Sequence, residues 1–271
     1  MGLPLSKKND QELRAKRFAA RSEIASKTLY SIIAETGKEE LLRPSSSLLY
    51  SALTAGLAMG ASVLLMGAIE RAVGDASWSY LAIAVGYPAG FLLIAMARMQ
   101  LFTENTLTAV LPVTKHRRWR SVRLLMRLWA IVLFGNLVGA VFIGAMLSHV
   151  TEPDLFDAMV TASSHITHRD IVGNFIAALP AGFLIGLMAW SLPGLPYEKL
   201  GAVFIVTYLV GAGGFPHIVA GTVEATVLIV AGTWGVGDAI SFIIPVLIGN
   251  TLGGAALFAG LAYGQVHEEV E

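Results

Sequence analysis

The stretch LVGAGGFPHIVAG, residues 209–221, places one ionisable side chain, His217, in an otherwise apolar run beside three glycines and a proline. Gly213, Gly214 and Pro216 are residues that break a helix, and broken backbone at membrane depth is tolerated only where protein or a water-lined cavity surrounds it. An ionisable side chain there is costly unless it faces a protein-lined pathway, so His217 reads as a transport or relay site. The competing reading is a core histidine satisfied by a neighbouring helix.

The rest of the chain supports membrane depth. Its 271 residues are 55% hydrophobic and 14% charged, with a mean hydropathy of +0.66. A water-soluble globule cannot hide that much apolar surface, so the chain is an integral membrane protein. About 20 apolar residues cross the roughly 30 Å of hydrocarbon, and six runs qualify: 47–69, 79–112, 124–147, 171–192, 200–231 and 239–264. The second and fifth are half as long again as a crossing requires and carry Gly, Pro or polar residues in their middle, the pattern of discontinuous helices.

Charge placement sets the expected topology. Of 19 Lys and Arg, nine precede the first run and six fall within residues 115–127, whereas the opposite loops hold Arg71 and Arg169 alone. The positive-inside rule then puts both termini and the 115–127 loop in the cytoplasm, leaving the acidic stretch 152–157 outside. The basic run KHRRWRSVRLLMR reads as a topology signal that also meets anionic headgroups, in preference to a nucleic-acid site. Residues 1–45 are expected to be a cytoplasmic segment without a cleavable signal, whose stretch 23–42 sets Ile24, Leu29, Ile32, Ile33 and Leu41 among charges as an interfacial amphipathic helix. A six-span domain over 46–265 and a cytoplasmic tail at 266–271 complete the expected organisation. The chain has no cysteine, hence no disulfide framework or thiolate metal centre.

GNLVGA at 135–140 recurs as GNTLGG at 249–254, an offset of 114 residues that also lays Thr103 of LFTEN onto His217 of GFPHI. Matching motifs and matching interruptions argue for two duplicated three-span halves, about 46–147 and 165–265. Three is odd, so the second half enters from the opposite side as an inverted repeat. Gly135 with Gly139, Gly249 with Gly253, Gly56 with Gly60 and Gly182 with Gly186 are small-xxx-small pairs for close helix packing. Asn136 and Asn250 are read as polar support for the freed backbone groups of the breaks.

New half-helix N-termini near 103–105 and near His217 would gather unpaired N–H groups and about +0.5 of dipole charge at the protomer centre, a setting for an anion. Thr103 has a second role open to it, capping its half-helix. Leu101, Phe102 and Phe215 beside this polar pair are expected to form apolar constrictions, although plain packing would leave the same sequence. Arg98 and Glu104 flank the first break closely enough to suggest an ion pair, and Glu224, two turns beyond His217, suggests pairing with Arg169 or a subunit interface.

With LFTENTL, GFPHIVA and the paired Gly-Asn motifs in place, the chain resembles the formate/nitrite transporter family over about residues 30–265. The resemblance implies an aquaporin-like protomer of six helices, all-α, with broken second and fifth helices, assembling as a homopentamer in which each protomer carries its own pore for small monovalent anions. It assigns the central histidine to His217, the loop threonine to Thr103, the gating loop to Leu101 and Phe102, and the constriction to Tyr87, Phe91 and Val210. This chain departs from the family pattern with Pro216 just before the histidine and Gly221 four residues after it. It also lacks the lysine that many members place before the fourth span; His165, His168 and Arg169 are the nearest basic groups.

These readings converge on passive or proton-linked passage of a weak-acid anion such as formate, nitrite, acetate or hydrosulfide across a bacterial inner membrane, without cofactor or metal. His217 would donate a hydrogen bond or a proton, since free imidazole titrates near about pH 6.5. A transport-inactive homologue acting as a membrane scaffold or stress-related partner is the alternative. A neutral-solute channel is disfavoured by the absence of Asn-Pro-Ala boxes. Enzymatic chemistry finds no nucleophile with its base, no metal cluster and no phosphate loop.

Overall fold

In the computed structural model, which describes residues 26–74, 76–115 and 119–270, every regular element is helical. The first half runs α1 (Ser26–Leu42), α2 (Ser45–Val73), α3 (Ser79–Ala84), α4 (Pro88–Ala97), α5 (Phe102–Thr108), α6 (Leu111–Lys115) and α7 (Trp119–Val150). A helix α8 (Pro153–Ser163) and a 3-10 turn (Ser164–His168) lead to α9 (Ile171–Ser191), α10 (Lys199–Ala212), α11 (Ile218–Val230) and α12 (Val236–Thr251). The last crossing widens into a π stretch (Leu252–Phe258) before α13 (Ala259–Val270).

Five helical runs are long and apolar enough to cross a membrane, namely Ser45–Val73, Ser79–Ala97, Trp119–Val150, Ile171–Gly194 and Val236–Val266, and the shorter α10 and α11 together make the sixth crossing. The second and fifth crossings are the broken ones. Within α1, Tyr30, Ile33, Gly37 and Leu41 form a buried stripe at helical spacing. Tyr30 and Ile33 pack in a cluster with Leu107, Leu111 and Val266. The helix thus lies against the protein's own helices. Glu23 and Ile24 of the expected amphipathic stretch, and residues 116–118 of the basic loop, lie outside the described residues.

Each half is built on one tight helix pair, α2 with α7 and α9 with α12, and glycine sets the approach in both. A side chain at Gly135 would put its Cβ 2.7 Å from the Ala52 Cβ, and one at Gly249 would put it 2.7 Å from the Ala178 Cβ. Without a hydrophobic drive between helices in lipid, such backbone approach is what dispersion and interhelical polar contacts require.

The two breaks share one backbone design. Arg98 (φ 54°) and Gly214 (φ 59°) take the left-handed conformation. One residue later the amide of Met99 returns to the Ile94 carbonyl at 3.1 Å, and that of Phe215 to the Val210 carbonyl at 3.0 Å. Closing a helix through a left-handed residue satisfies carbonyls that would otherwise be stranded. Leu101 (φ −107°, ψ 128°) and His217 (φ −113°, ψ 132°) then stand extended as the N-caps of α5 and α11.

This pattern corrects the sequence register. Leu101, not Thr103, is the counterpart of His217, because the chain between break and Gly-Asn motif is two residues longer in the first half. Phe102 is bonded by Asn136 across 34 residues and Ile218 by Asn250 across 32. Thr103 is therefore not the N-cap, a position that Leu101 holds, and lies within the first turn of α5.

Gly135→Ala is expected to destabilise the folded protein by about 1–3 kcal/mol through overpacking against Ala52, with Ala52→Gly restoring much of the loss in the double variant. Thermal unfolding of the four proteins of this cycle checks it; additive effects would mean that the two positions do not touch.

Candidate functional site

Backbone opened inside a membrane must find partners within the protein, and two asparagines from the Gly-Asn motifs provide them. Asn136 accepts from the Phe102 amide at 2.9 Å and donates to the carbonyls of Gln100 at 3.0 Å and Ala52 at 2.8 Å. Asn250 accepts from the Ile218 amide at 2.8 Å and donates to the carbonyls of Pro216 at 3.0 Å and Ala178 at 2.9 Å. Each amide thus closes the first N–H of a half-helix and one carbonyl of the extended segment, and ties both to the neighbouring long helix.

Between these clamps the two breaks meet at a polar contact: Thr103 Oγ1 lies 2.8 Å from His217 Nε2, and both residues are fully buried. His217 is an N-cap whose Nδ1 accepts from the Ala220 amide at 3.4 Å. An amide only donates, so in the neutral ring the proton sits on Nε2 and points to Thr103. The Thr103 hydroxyl, accepting from Nε2, keeps its own hydrogen free to donate onward.

Aromatic rings stand over this pair. Phe91 meets the His217 ring edge-on with centroids 4.9 Å apart, and Tyr87 stacks on Phe91 at 5.6 Å. Tyr87 lines a chamber of about 360 Å³ together with Glu70, Tyr80, His165 and the 211–214 turn. A second chamber of about 540 Å³ is lined by Leu101, Glu40, Arg43, Arg98, Glu104 and Lys199. His217, Thr103, Phe91 and Phe102 line neither chamber and lie buried between their walls.

The remaining candidates fall around this plug in different ways. Leu101 faces the second chamber, and Phe102 turns its ring edge to Trp129 at 6.0 Å. Val210 is buried and acts through its carbonyl, which closes the second break by holding the Phe215 amide at 3.0 Å. Phe215 is half-buried in that turn.

Two expected ion pairs do not form among the described residues. Arg98 caps its helix in the left-handed conformation with an exposed side chain, whereas Glu104 opens α5 beyond the extended segment; no ion pair joins them among the described residues. Glu224 pairs with His165, Oε1 to Nε2 at 3.7 Å, in place of Arg169.

Unforeseen from sequence is a tether from α1 to the first break. Glu40 accepts from Gln100 Nε2 and from Thr108 Oγ1, each at 3.1 Å, and Gln100 Oε1 accepts from Asn105 Nδ2 at 2.8 Å. Burial raises the Glu40 carboxyl above its ordinary 4.5, against the lowering pull of those two hydrogen bonds and of Arg43. A carboxylate in an amphipathic helix gives no sign in sequence of the partner it will meet 60 residues away.

Comparison with known proteins follows the same lines. The family model described as formate/nitrite transporter matches residues 27–264. The inner membrane protein YfdC of Escherichia coli (strain K12) is 36% identical over 245 residues, spanning 89% of this chain and 79% of that protein. The formate channel BtFdhC of Bacillus thuringiensis is 28% identical over 184 residues, covering 65% of this chain and 69% of its own. Among solved structures, an FNT family ion channel superposes with a TM-score of 0.73 at 20% identity, over 89% of this chain and 98% of its own. A pentameric formate channel with formate bound gives 0.69 at 19% identity, over 83% and 98%.

Asn250→Asp and Asn136→Asp keep the acceptor and remove both donors, stranding two buried carbonyls at about 1–3 kcal/mol each. Both variants are expected to unfold at markedly lower temperature than the parent; an unchanged melting curve for either would remove the clamp role. For Glu40 the sign follows from its raised value. Docking of α1 is strongest below the ordinary carboxylate pKa and weakens as pH rises through the raised one. Amide exchange of α1, corrected for intrinsic rates, should therefore accelerate as pH rises above the ordinary carboxylate value, and Glu40→Gln should abolish the trend. The same trend in Glu40→Gln, or slower exchange at high pH, would contradict it.

Proposed function

Because this chain belongs to the formate/nitrite transporter family, we propose that it is a channel or transporter for small monovalent weak-acid anions of the formate, nitrite, acetate or hydrosulfide class. In this reading Thr103 and His217 meet the anion, and Leu101, Phe102, Phe215, Tyr87, Phe91 and Val210 line or shape the constricted way to them. The observation that carries it is the buried 2.8 Å contact of Thr103 with His217, held where two half-helix N-termini converge. Helix N-termini favour negative charge, and the pair adds a hydroxyl hydrogen directed by the Nε2–H.

The geometry favours hydrogen-bond donation over proton donation by His217 in this state. With Nδ1 occupied by the Ala220 amide, the neutral ring holds one proton, and losing it would leave an imidazolate. A proton can leave the ring only after a second one has been taken on Nδ1, at the expense of the Ala220 bond. A bare anion between Phe91 and Phe102 would lose its hydration, so it crosses either hydrogen-bonded by Thr103 or already carrying a proton.

The same reading places the protein in a bacterial inner membrane as a homopentamer, with residues 1–45 and both termini cytoplasmic, residues 46–265 as the channel domain and 266–271 as a tail. Its support lies in the pentameric description of one structural neighbour, the inner-membrane description of one relative, and the concentration of Lys and Arg before α2 and within residues 115–127.

Purified protein in liposomes should pass formate or a similar anion. A hydrogen bond to a charged group is worth about 1.5–3 kcal/mol, so Thr103→Val is expected to slow passage roughly tenfold or more, and His217→Ala at least as much. Absence of flux for formate, nitrite, acetate and hydrosulfide alike, from folded and assembled protein, would reject the channel and leave the scaffold reading.

A further inference from the structure

His165 lines the first chamber with its ring fixed at both nitrogens. Nδ1 lies 3.0 Å from the Ala162 carbonyl, which can only accept, so Nδ1 carries a proton. Nε2 faces Glu224 Oε1 at 3.7 Å. That carboxylate is 3% exposed, and its Oε1 has no hydrogen-bond partner among the described residues. A neutral His165 would then set a lone pair against a buried, unsatisfied carboxylate. One further proton on Nε2 turns that repulsion into an attraction, and the 3.7 Å separation, too long for an O–H···N hydrogen bond, still lies within ion-pair range. The half-exposed imidazolium keeps water on its chamber side and offsets part of the cost of burying the carboxylate's charge.

We propose that His165 and Glu224 form a proton-binding dyad in the chamber wall, an imidazolium beside a carboxylate, which sets the wall's charge and so governs the admission of monovalent anions. The admission half rests on the proposed function above; the dyad itself does not. Acidification adds one proton from chamber water to the Glu224 carboxylate, and the pair passes from zero net charge to +1.

The surrounding groups leave this change unmasked. From α2, Glu70 lines the chamber and Arg71 is paired with Glu152 at 3.9 Å. From α3 and the turn before α4 come the neutral Tyr80 and Tyr87. On α8, Asp154 and Asp157 are exposed, as is His149 in the last turn of α7. Asp238 of α12 is bonded to the Gly235 amide at 2.8 Å, and the Arg169 guanidinium lies beside Gly214. With Glu70 in the wall, the dyad decides whether an approaching anion meets net repulsion.

Nitrogen-15 NMR of ring-labelled histidine in the full-length protein in bilayers tests the dyad, with His165→Gln identifying the resonance. At about pH 7 both ring nitrogens of His165 should be protonated in the parent, and Nε2 should lose its proton in Glu224→Gln. A neutral His165 in the parent, or identical titration in Glu224→Gln, overturns the proposal whatever the transport result. Formate influx at low ionic strength tests admission. His165→Gln leaves Glu224 uncompensated and should cut influx about tenfold at neutral pH, the scale of electrostatic focusing in a charged cleft. The double variant with Glu224→Gln should recover it, and added salt should shrink the difference. Influx unchanged in His165→Gln, with the dyad present by NMR, overturns the admission role. A parent without any influx would refute the channel reading, not the dyad.

Discussion

A peptide backbone opened within hydrocarbon has no water to turn to, and the structure depends on how two openings are closed. Asn136 and Asn250 each give one acceptor and two donors, and all three are used on the break and on the adjoining long helix. A serine or threonine has a single hydroxyl hydrogen and could not donate to two carbonyls at once. The clamp therefore needs an amide, placed where a glycine next to it lets the neighbouring helix come within reach.

That coupling makes helix packing and break geometry one problem. The carbonyls of Ala52 and Ala178, which anchor the asparagines, belong to the same residues whose methyl groups abut Gly135 and Gly249. With each break held this way, the N-cap positions are defined, and His217 stands at one of them with its ring turned across the centre to Thr103. The plug is thus asymmetric although the backbone is not. One N-cap is a histidine and the other a leucine, so a single imidazole serves both half-helix ends.

The two chambers differ in their chemistry. One is walled by Tyr87, the glycine turn and His165, which pairs with the buried Glu224; the other by a mixture of Glu40, Glu104, Arg43, Arg98 and Lys199, with α1 tethered across it through Gln100. Beside each lies a carboxylate that burial would penalise without its partners. In the first chamber the partner is an ionisable ring, in the second a pair of neutral donors. Any response of the two sides to pH must therefore arise from different groups.

The sequence by itself determined the solvent, the count of crossings, which two are broken, and the duplicated Gly-Asn motif, because apolar run length and helix-breaking residues act locally. It also singled out His217 and Thr103, as the ionisable and polar members of the two breaks. It misjudged the register, since hydrogen bonding and not motif similarity defines equivalence, and Leu101 shares no chemistry with His217 to reveal that they are counterparts. Tertiary structure alone decided the partners of the charged residues. Arg98 and Glu104 are six positions apart, yet a left-handed turn and an extended segment separate them, whereas Glu40 reaches Gln100 and Glu224 reaches His165 across about sixty residues. Side-chain pairing at such separation depends on how helices cross in three dimensions, and that is not written in the spacing of residues along the chain.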